Sequence, residues 1–422
     1  MDGRMVREFT EYASLRDALD VLKRGATVRP RREAVPLGRS FGRVLFDDVL
    51  AREDVPARDS AHMDGFAVRS SDLAGASAAG PVRLRRLAGS PLGVVPPVPL
   101  RKGEARAVLT GGFMPRGADA VVQAERTEVG AEGTVSFSSP VEAAEWVYPR
   151  GRDVKRGERV LPSGRVIRGT DQVLLGSLHL DRVGVYRRPR VALLPTGSEL
   201  SEEVARPGPG KVTETHTFLL SRLVEGAGGI PVLLPIARDD SAEIARSVRA
   251  GLGVAEMVLT LAGSSVSESD LVEEAVGRPA DVVVHGVKVH RGRVMGFAVA
   301  RGKAVIILPG PIQGAVNAFA VFAYPLIGAH LGRGFGPPPS IPAVLADDWD
   351  AGKRNRDFAK VVYVRLDASG GELVAEASSG ETENVAFLTR NDGYMLLGES
   401  VVALKKGERV RVHLLPGLSP SG

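Results

Sequence analysis

Three carboxylates in the middle of the sequence, Glu199, Asp239 and Asp270, sit in loops that each follow a short apolar run: "PTGSEL", "IARDD" and "AGSSVSESD". A fourth loop of the same kind, "LPGPIQG", carries Pro309 and Gly310. Hard divalent cations are held by carboxylate, phosphate and water oxygens, so three such side chains facing one cavity suit a metal beside a phosphorylated ligand. Each loop also has a plainer reading. Asp239 or Asp240 caps the helix "DDSAEIARSV", with Glu243 closing a box to Asp240, and Glu199 lies in a first helical turn and complements its dipole. Ser267 and Asp270 resemble a capping box opening "DLVEEAV". The two readings are compatible, because free N–H groups at a helix start already favour anions. Elsewhere, Asp64 in "HMDG" forms an Asx turn or presents a carboxylate, and Thr110 in "LTGG" is a strand-end hydroxyl.

These loops are positioned by repeated strand–helix units between about 190 and 330. "VALLP", "IPVLLPI", "MVLTLAG" and "AVIILPG" alternate with amphipathic stretches near "THTFLLSRLVEGAGG" and "DSAEIARSVRAGL". Continuous apolar strands between helices indicate a parallel sheet covered on both faces. Ligands of such sheets bind beyond the carboxyl ends of the strands, so the four loops are expected to converge. Residues 1 to about 180 read as one helix followed by many short strands. The segment after a proline-rich break at 331–341 reads as a small barrel or sandwich. "AVNAFAVFAYPLIGAHL", interrupted by Asn317 and Pro325, is expected to be a buried helix plus a turn, not a membrane span. His285 and His290 in "HGVKVH" fall on opposite faces of an extended segment and suggest no metal site.

A chain of 422 residues with 44% hydrophobic and 25% charged residues is globular and long enough for about two to four domains. It has no cysteine, which removes disulfides, thiolate metal sites and cysteine nucleophiles and makes the cytoplasm the expected compartment. The net charge of +5 comes from dispersed arginines without a basic run, so neither nucleic acid nor membrane is expected as a partner. No G-x-x-x-x-G-K-[ST] occurs, which argues against a P-loop phosphotransferase.

Taken together, "AHMDGFAVRSSD" (61–72), "AVLTGGFMPRGADAVVQAERTEV" (107–129), "YPRGRDVKRGERVLPSG" (148–164), "PRVALLPTGSEL" (189–200), "PIARDD" (235–240), "GSSVSESD" (263–270) and "LPGPIQGAVNAF" (308–319) resemble the molybdopterin molybdenumtransferase family in order and spacing. Gephyrin's C-terminal domain belongs to the same family. The resemblance implies a multidomain α/β plus β fold. Its parts are a β-rich N-terminal region (1–180) with an inserted subdomain (about 50–148), a central Rossmann-like molybdopterin-binding α/β domain (181–332) and a C-terminal β-barrel (338–418). It implies an enzyme that inserts molybdenum or tungsten, from molybdate or tungstate, into adenylylated molybdopterin and releases AMP with Mg2+. It also implies a cytoplasmic homodimer with the active site at the dimer interface. By the same resemblance Asp64, Glu199, Asp239 and Asp270 are catalytic, the last three as magnesium ligands. Thr110, Asp153, Gly263, Ser265, Ser267, Pro309 and Gly310 then bind substrate.

The sequence departs from the family pattern at two places. The loop that typically reads Thr-Gly-Gly-Val-Ser-Val-Gly is here Leu261 to Ser267, so Ala262 and Ser267 replace glycines. Pro311 and Ile312 stand for the Asn-Pro of Pro-Gly-Asn-Pro, and Arg291 and Arg293 stand where a lysine is usual. Arginine binds phosphate with a planar fork, a different geometry from lysine. These changes support a second reading, a divergent non-catalytic paralogue that binds a pterin, a nucleotide or a partner protein.

Overall fold

The structure is a computed structural model that describes residues 12–130, 133–261, 280–352, 355–368, 370–378 and 385–415. Two compact units result, one of Ala34–Val185 and one of Met1–Glu33 with Tyr186–Gly422.

The Ala34–Val185 unit is built on a six-stranded sheet in the order Ala120–Gln123, Gly65–Val68, Glu104–Val108, Val82–Leu87, Thr134–Phe137, Thr127–Val129. Its apolar face buries Phe66, Val68, Leu84, Val122, Val135 and Phe137, with the rings of Phe66 and Phe137 edge to face. Gly65 is required where it stands. A Cβ there would lie 2.0 Å from the carbonyl oxygen of Val122 on the neighbouring strand. A second cluster of Leu45, Leu161, Ile167, Leu175, Val183 and Val185 packs under the helix Gly169–Ser177.

In the other unit, strands Ile230–Leu233, Arg190–Pro195, Met257–Leu261 and Lys303–Leu308 run parallel, in that spatial order. The three inner strands are buried almost throughout, as their unbroken apolar runs require. The sheet is mixed and not wholly parallel. Gly296–Ala300 and Val282–His285 extend it antiparallel, because the chain reverses at Arg301 and Gly302, both at positive φ (53° and 76°). That is the two-residue turn whose twist suits a hairpin. Helix Ser241–Val254 lies so close to the sheet that a Cβ on Gly251 would meet Val258 Cγ2 at 2.9 Å.

The expected turn at Pro325 is absent. Ile312–His330 is one continuous 19-residue helix, in which a π segment, Phe319–Ala323, precedes Pro325. The widened turn accommodates a residue that has no N–H to donate. This helix is long and apolar enough to cross a membrane, but nearly all of it is buried within the protein.

Downstream, Ser340–Leu345, Ala359–Asp367, Val374–Ala377, Gly393–Leu397 and Arg409–Leu414 close into a five-stranded barrel. Ala359–Asp367 pairs with both Val374–Ala377 and Gly393–Leu397. Val289–His290 adds to it in parallel, alongside Ala359 and Lys360.

Candidate functional site

Asp64 precedes strand Gly65–Val68, and Thr110 follows the antiparallel neighbour Glu104–Val108, in which Val108 pairs with Gly65. Register therefore brings the two side chains together across 46 residues of sequence. The Thr110 backbone N–H (2.7 Å) and hydroxyl (2.8 Å) both donate to Oδ1 of Asp64. Gly111, at φ 81°, turns the chain so that its own N–H reaches the Ala61 carbonyl. The Asp64 carboxyl is held below its ordinary range, chiefly by the Thr110 backbone bond and then by the hydroxyl, and it is exposed to solvent. An ionised, oriented and accessible carboxylate results.

Asp153 lies in the same unit and accepts a hydrogen bond from the Tyr148 hydroxyl. That bond is the main cause raising the pKa of Tyr148. The Arg152 guanidinium stands 5.9 Å from the Tyr148 ring centroid. Nothing in the local sequence marks Tyr148 as the partner of Asp153.

In the other unit the inner parallel strands end level, with Pro195 opposite Leu261 and Leu261 opposite Leu308. The loops after Pro195 and Leu308 therefore leave one end of the sheet. Thr196 donates its N–H (3.0 Å) and hydroxyl (2.9 Å) to the Leu261 carbonyl. Glu199 lies in a turn before the short strand Leu200–Ser201 and not in a helical turn, and its carboxylate folds over Gly197, where a Cβ would come within 2.7 Å of both its oxygens. Asp239 is tied to the same loop. Its Oδ2 accepts the Ser198 N–H at 2.7 Å, and its own N–H donates to Ser198 Oγ at 3.0 Å. Asp240, not Asp239, caps helix Ser241–Val254 by accepting the Glu243 N–H at 2.7 Å. Capping and site roles are thus divided between adjacent residues.

Gly263, Ser265, Ser267 and Asp270 lie outside the described residues. Among the described residues no three His, Asp or Glu side chains gather as a metal cluster. Glu199 and Asp239 stand on joined loops, and the third expected ligand is one of those outside.

Pro309 is buried, and the Gly310 carbonyl is bonded to His216 Nε2 at 2.8 Å. His216 opens helix His216–Gly226. The buried Glu214 caps that helix by accepting the N–H groups of His216 and Thr217. Glu214 and His216 were not anticipated, since their partners are reached only through the fold. Arg291, at φ 62°, donates to Gln313 Oε1 at 3.1 Å, at the start of the helix that follows Gly310. Its carbonyl accepts from Asn317, whose Oδ1 in turn accepts from the buried hydroxyl of Tyr363 (both 2.9 Å). Arg293 lies over the Phe358 ring, 4.9 Å from its centroid. His285 is buried, with its Nε2 bonded to the Val294 carbonyl at 3.0 Å.

Residues 13–178 match the MoeA N-terminal region (domain I and II), and residues 192–329 match a probable molybdopterin binding domain. A putative molybdopterin biosynthesis protein of Methanocaldococcus jannaschii is 30% identical over 393 residues, covering 90% of this chain and 92% of its own. Molybdopterin molybdenumtransferase 2 of Mycobacterium tuberculosis is 29% identical over 384 residues, 90% of this chain and 94% of its own. The crystal structure of a molybdopterin biosynthesis protein from Pyrococcus horikoshii superimposes with a TM-score of 0.83 at 28% identity, over 97% of this chain and 100% of that one. Matched along both halves by family models and along nine-tenths of its length by these relatives, the chain belongs to the molybdopterin molybdenumtransferase family.

Proposed function

We propose that this chain inserts molybdenum, or tungsten, from the oxyanion into adenylylated molybdopterin and releases AMP. We propose further that it works as a cytoplasmic homodimer in which Asp64 of one subunit completes the site of its partner. Family membership supports the metal-transfer reaction. The observation that carries it for this chain is the Asp64 carboxylate, ionised and aimed by Thr110 while open to solvent.

Glu199 and Asp239, on loops joined through Ser198, offer the hard oxygen donors that suit magnesium. With Asp270 they would hold it, and there it would offset phosphate charge. The chain's own residues orient the reactants. Helix starts and strand-end N–H groups receive the phosphate, the Pro309–Gly310 turn is held by His216, and Asp64 serves the metal-insertion and AMP-release step.

The test is AMP release from adenylylated molybdopterin with molybdate and magnesium, preceded by calorimetric titration of molybdopterin, its adenylylated form and AMP. Asp64→Asn keeps shape and turn-forming ability, so the variant is expected to fold and to lose at least about tenfold in AMP release, equivalent to about 1.4 kcal/mol in the barrier. Turnover at the wild-type rate in this variant removes Asp64 from the reaction. Pterin binding without any AMP release by the wild type favours the non-catalytic reading.

A further inference from the structure

Two residues before Asp64, the chain presents an exposed imidazole beside two aromatic rings. Ser60–Ala61 pairs antiparallel with Val147–Tyr148, and the His62 N–H donates to the Trp146 carbonyl at 2.9 Å. The His62 ring then lies 5.9 Å from the Trp146 ring and 5.8 Å from that of Tyr148, tilted 45° and 47° to them. Tyr148 is itself fixed by its hydroxyl bond to Asp153 and has the Arg152 guanidinium beside its ring. The backbone leading in is strained: Ala144 and Trp146 take positive φ of 67° and 55°, which a bulky side chain rarely adopts. The buried indole Nε1 of Trp146 has no hydrogen-bond partner. The indole packs against the buried cluster of Ala61, Ala67, Val108 and Val121, so it braces the strand pair that carries His62.

An exposed imidazole braced beside two half-buried aromatic rings, one of which carries a guanidinium, suits a flat, electron-rich heterocycle. Nucleobases stack on such surfaces without needing a specific hydrogen-bond pattern. We propose that His62, supported by Trp146 and Tyr148, is the stacking platform for the adenine of the adenylyl group and of AMP. The inference rests on the AMP-releasing reaction proposed above and names the residue that recognises the base. His62 acts through its ring face and not through a proton.

Binding of AMP and of ribose 5-phosphate to the full chain is measured by calorimetry for the wild type, His62→Ala and His62→Phe. The alanine variant is expected to raise the Kd for AMP about tenfold and to leave ribose 5-phosphate unchanged, while phenylalanine keeps AMP within about twofold of wild type. An unchanged AMP Kd in His62→Ala overturns the platform. So does a phenylalanine variant as weak as alanine, which would assign the role to a ring nitrogen. An equal loss on ribose 5-phosphate, or no measurable AMP binding by the wild type, overturns it as well. Should the wild type show the base-selective pattern yet release no AMP from adenylylated molybdopterin, the proposed reaction fails and the platform stands.

Discussion

At the scale of single residues, ionisation and aim of Asp64 have one source. Thr110 contributes two donors to the same oxygen, the backbone bond being the stronger influence. Thr110→Val removes only the hydroxyl. Its expected result is a rise in the Asp64 pKa that stops short of the ordinary 3.8, read by NMR titration of the side chain, and a smaller fall in AMP release than in Asp64→Asn. Because the native pKa is depressed, the carboxylate stays ionised at every pH above that ordinary value, so the variant's ionisation differs from wild type only in the acid range and its fall in AMP release reports lost aim. A titration curve identical to wild type would show the hydroxyl bond to be inconsequential. Asp64, Thr110 and Asp153 became candidates through the family resemblance, and Glu199 and Asp239 through their place in loops that follow apolar strands as well. Their partners were not legible. Tyr148 for Asp153 and Ser198 for Asp239 follow from strand register and loop approach, which short-range sequence does not encode.

Among elements, the strand–helix alternation between Arg190 and Leu308 could be read because buried parallel strands leave unbroken apolar runs between amphipathic helices. The antiparallel strand Gly296–Ala300 escaped, since an apolar pentapeptide does not declare its direction. Pro325 misled, because a π segment absorbs it within a continuous helix. The short strand Val289–His290 was likewise not assigned to the barrel, where it lies against Ala359 and Lys360. That placement has a pH consequence. Burial first, and then the charges of Arg291, Arg293 and Lys360, push His290 from 6.5 down to about 4. The folded protein keeps the ring neutral where the unfolded chain would protonate it. Its contribution to stability is therefore fully present above pH 6.5 and is lost as pH falls toward about 4. Burial depresses His330 and His413 in the same direction. Denaturant unfolding across this window should show stability declining with acid, and His290→Asn should make the decline shallower. A variant with the wild-type slope assigns the effect to the other histidines.

For the whole molecule, Asp64 belongs to the Ala34–Val185 unit, while Glu199 and Asp239 belong to the other. A shared site between subunits makes a prediction that one chain acting alone does not. In a two-fold dimer whose site takes Asp64 from one subunit and Asp239 from its partner, mixed dimers of Asp64→Asn and Asp239→Asn carry both substitutions in one site and neither in the other. Unfolding and refolding an equal mixture yields about half mixed dimers, each with one of two sites intact, so about one quarter of wild-type AMP release should return. Each variant refolded alone stays at its own reduced level, about a tenth of wild type or less. If Asp64 instead serves the site of its own chain, every site in every dimer carries one substitution and mixing restores nothing. Sedimentation or light scattering on the same samples establishes that dimers have re-formed, so a null result counts against the shared site and not against refolding. Restored activity at about the quarter level identifies the dimer as the catalytic unit and sets the strand-end carboxylates of one subunit against the Asp64 turn of the other.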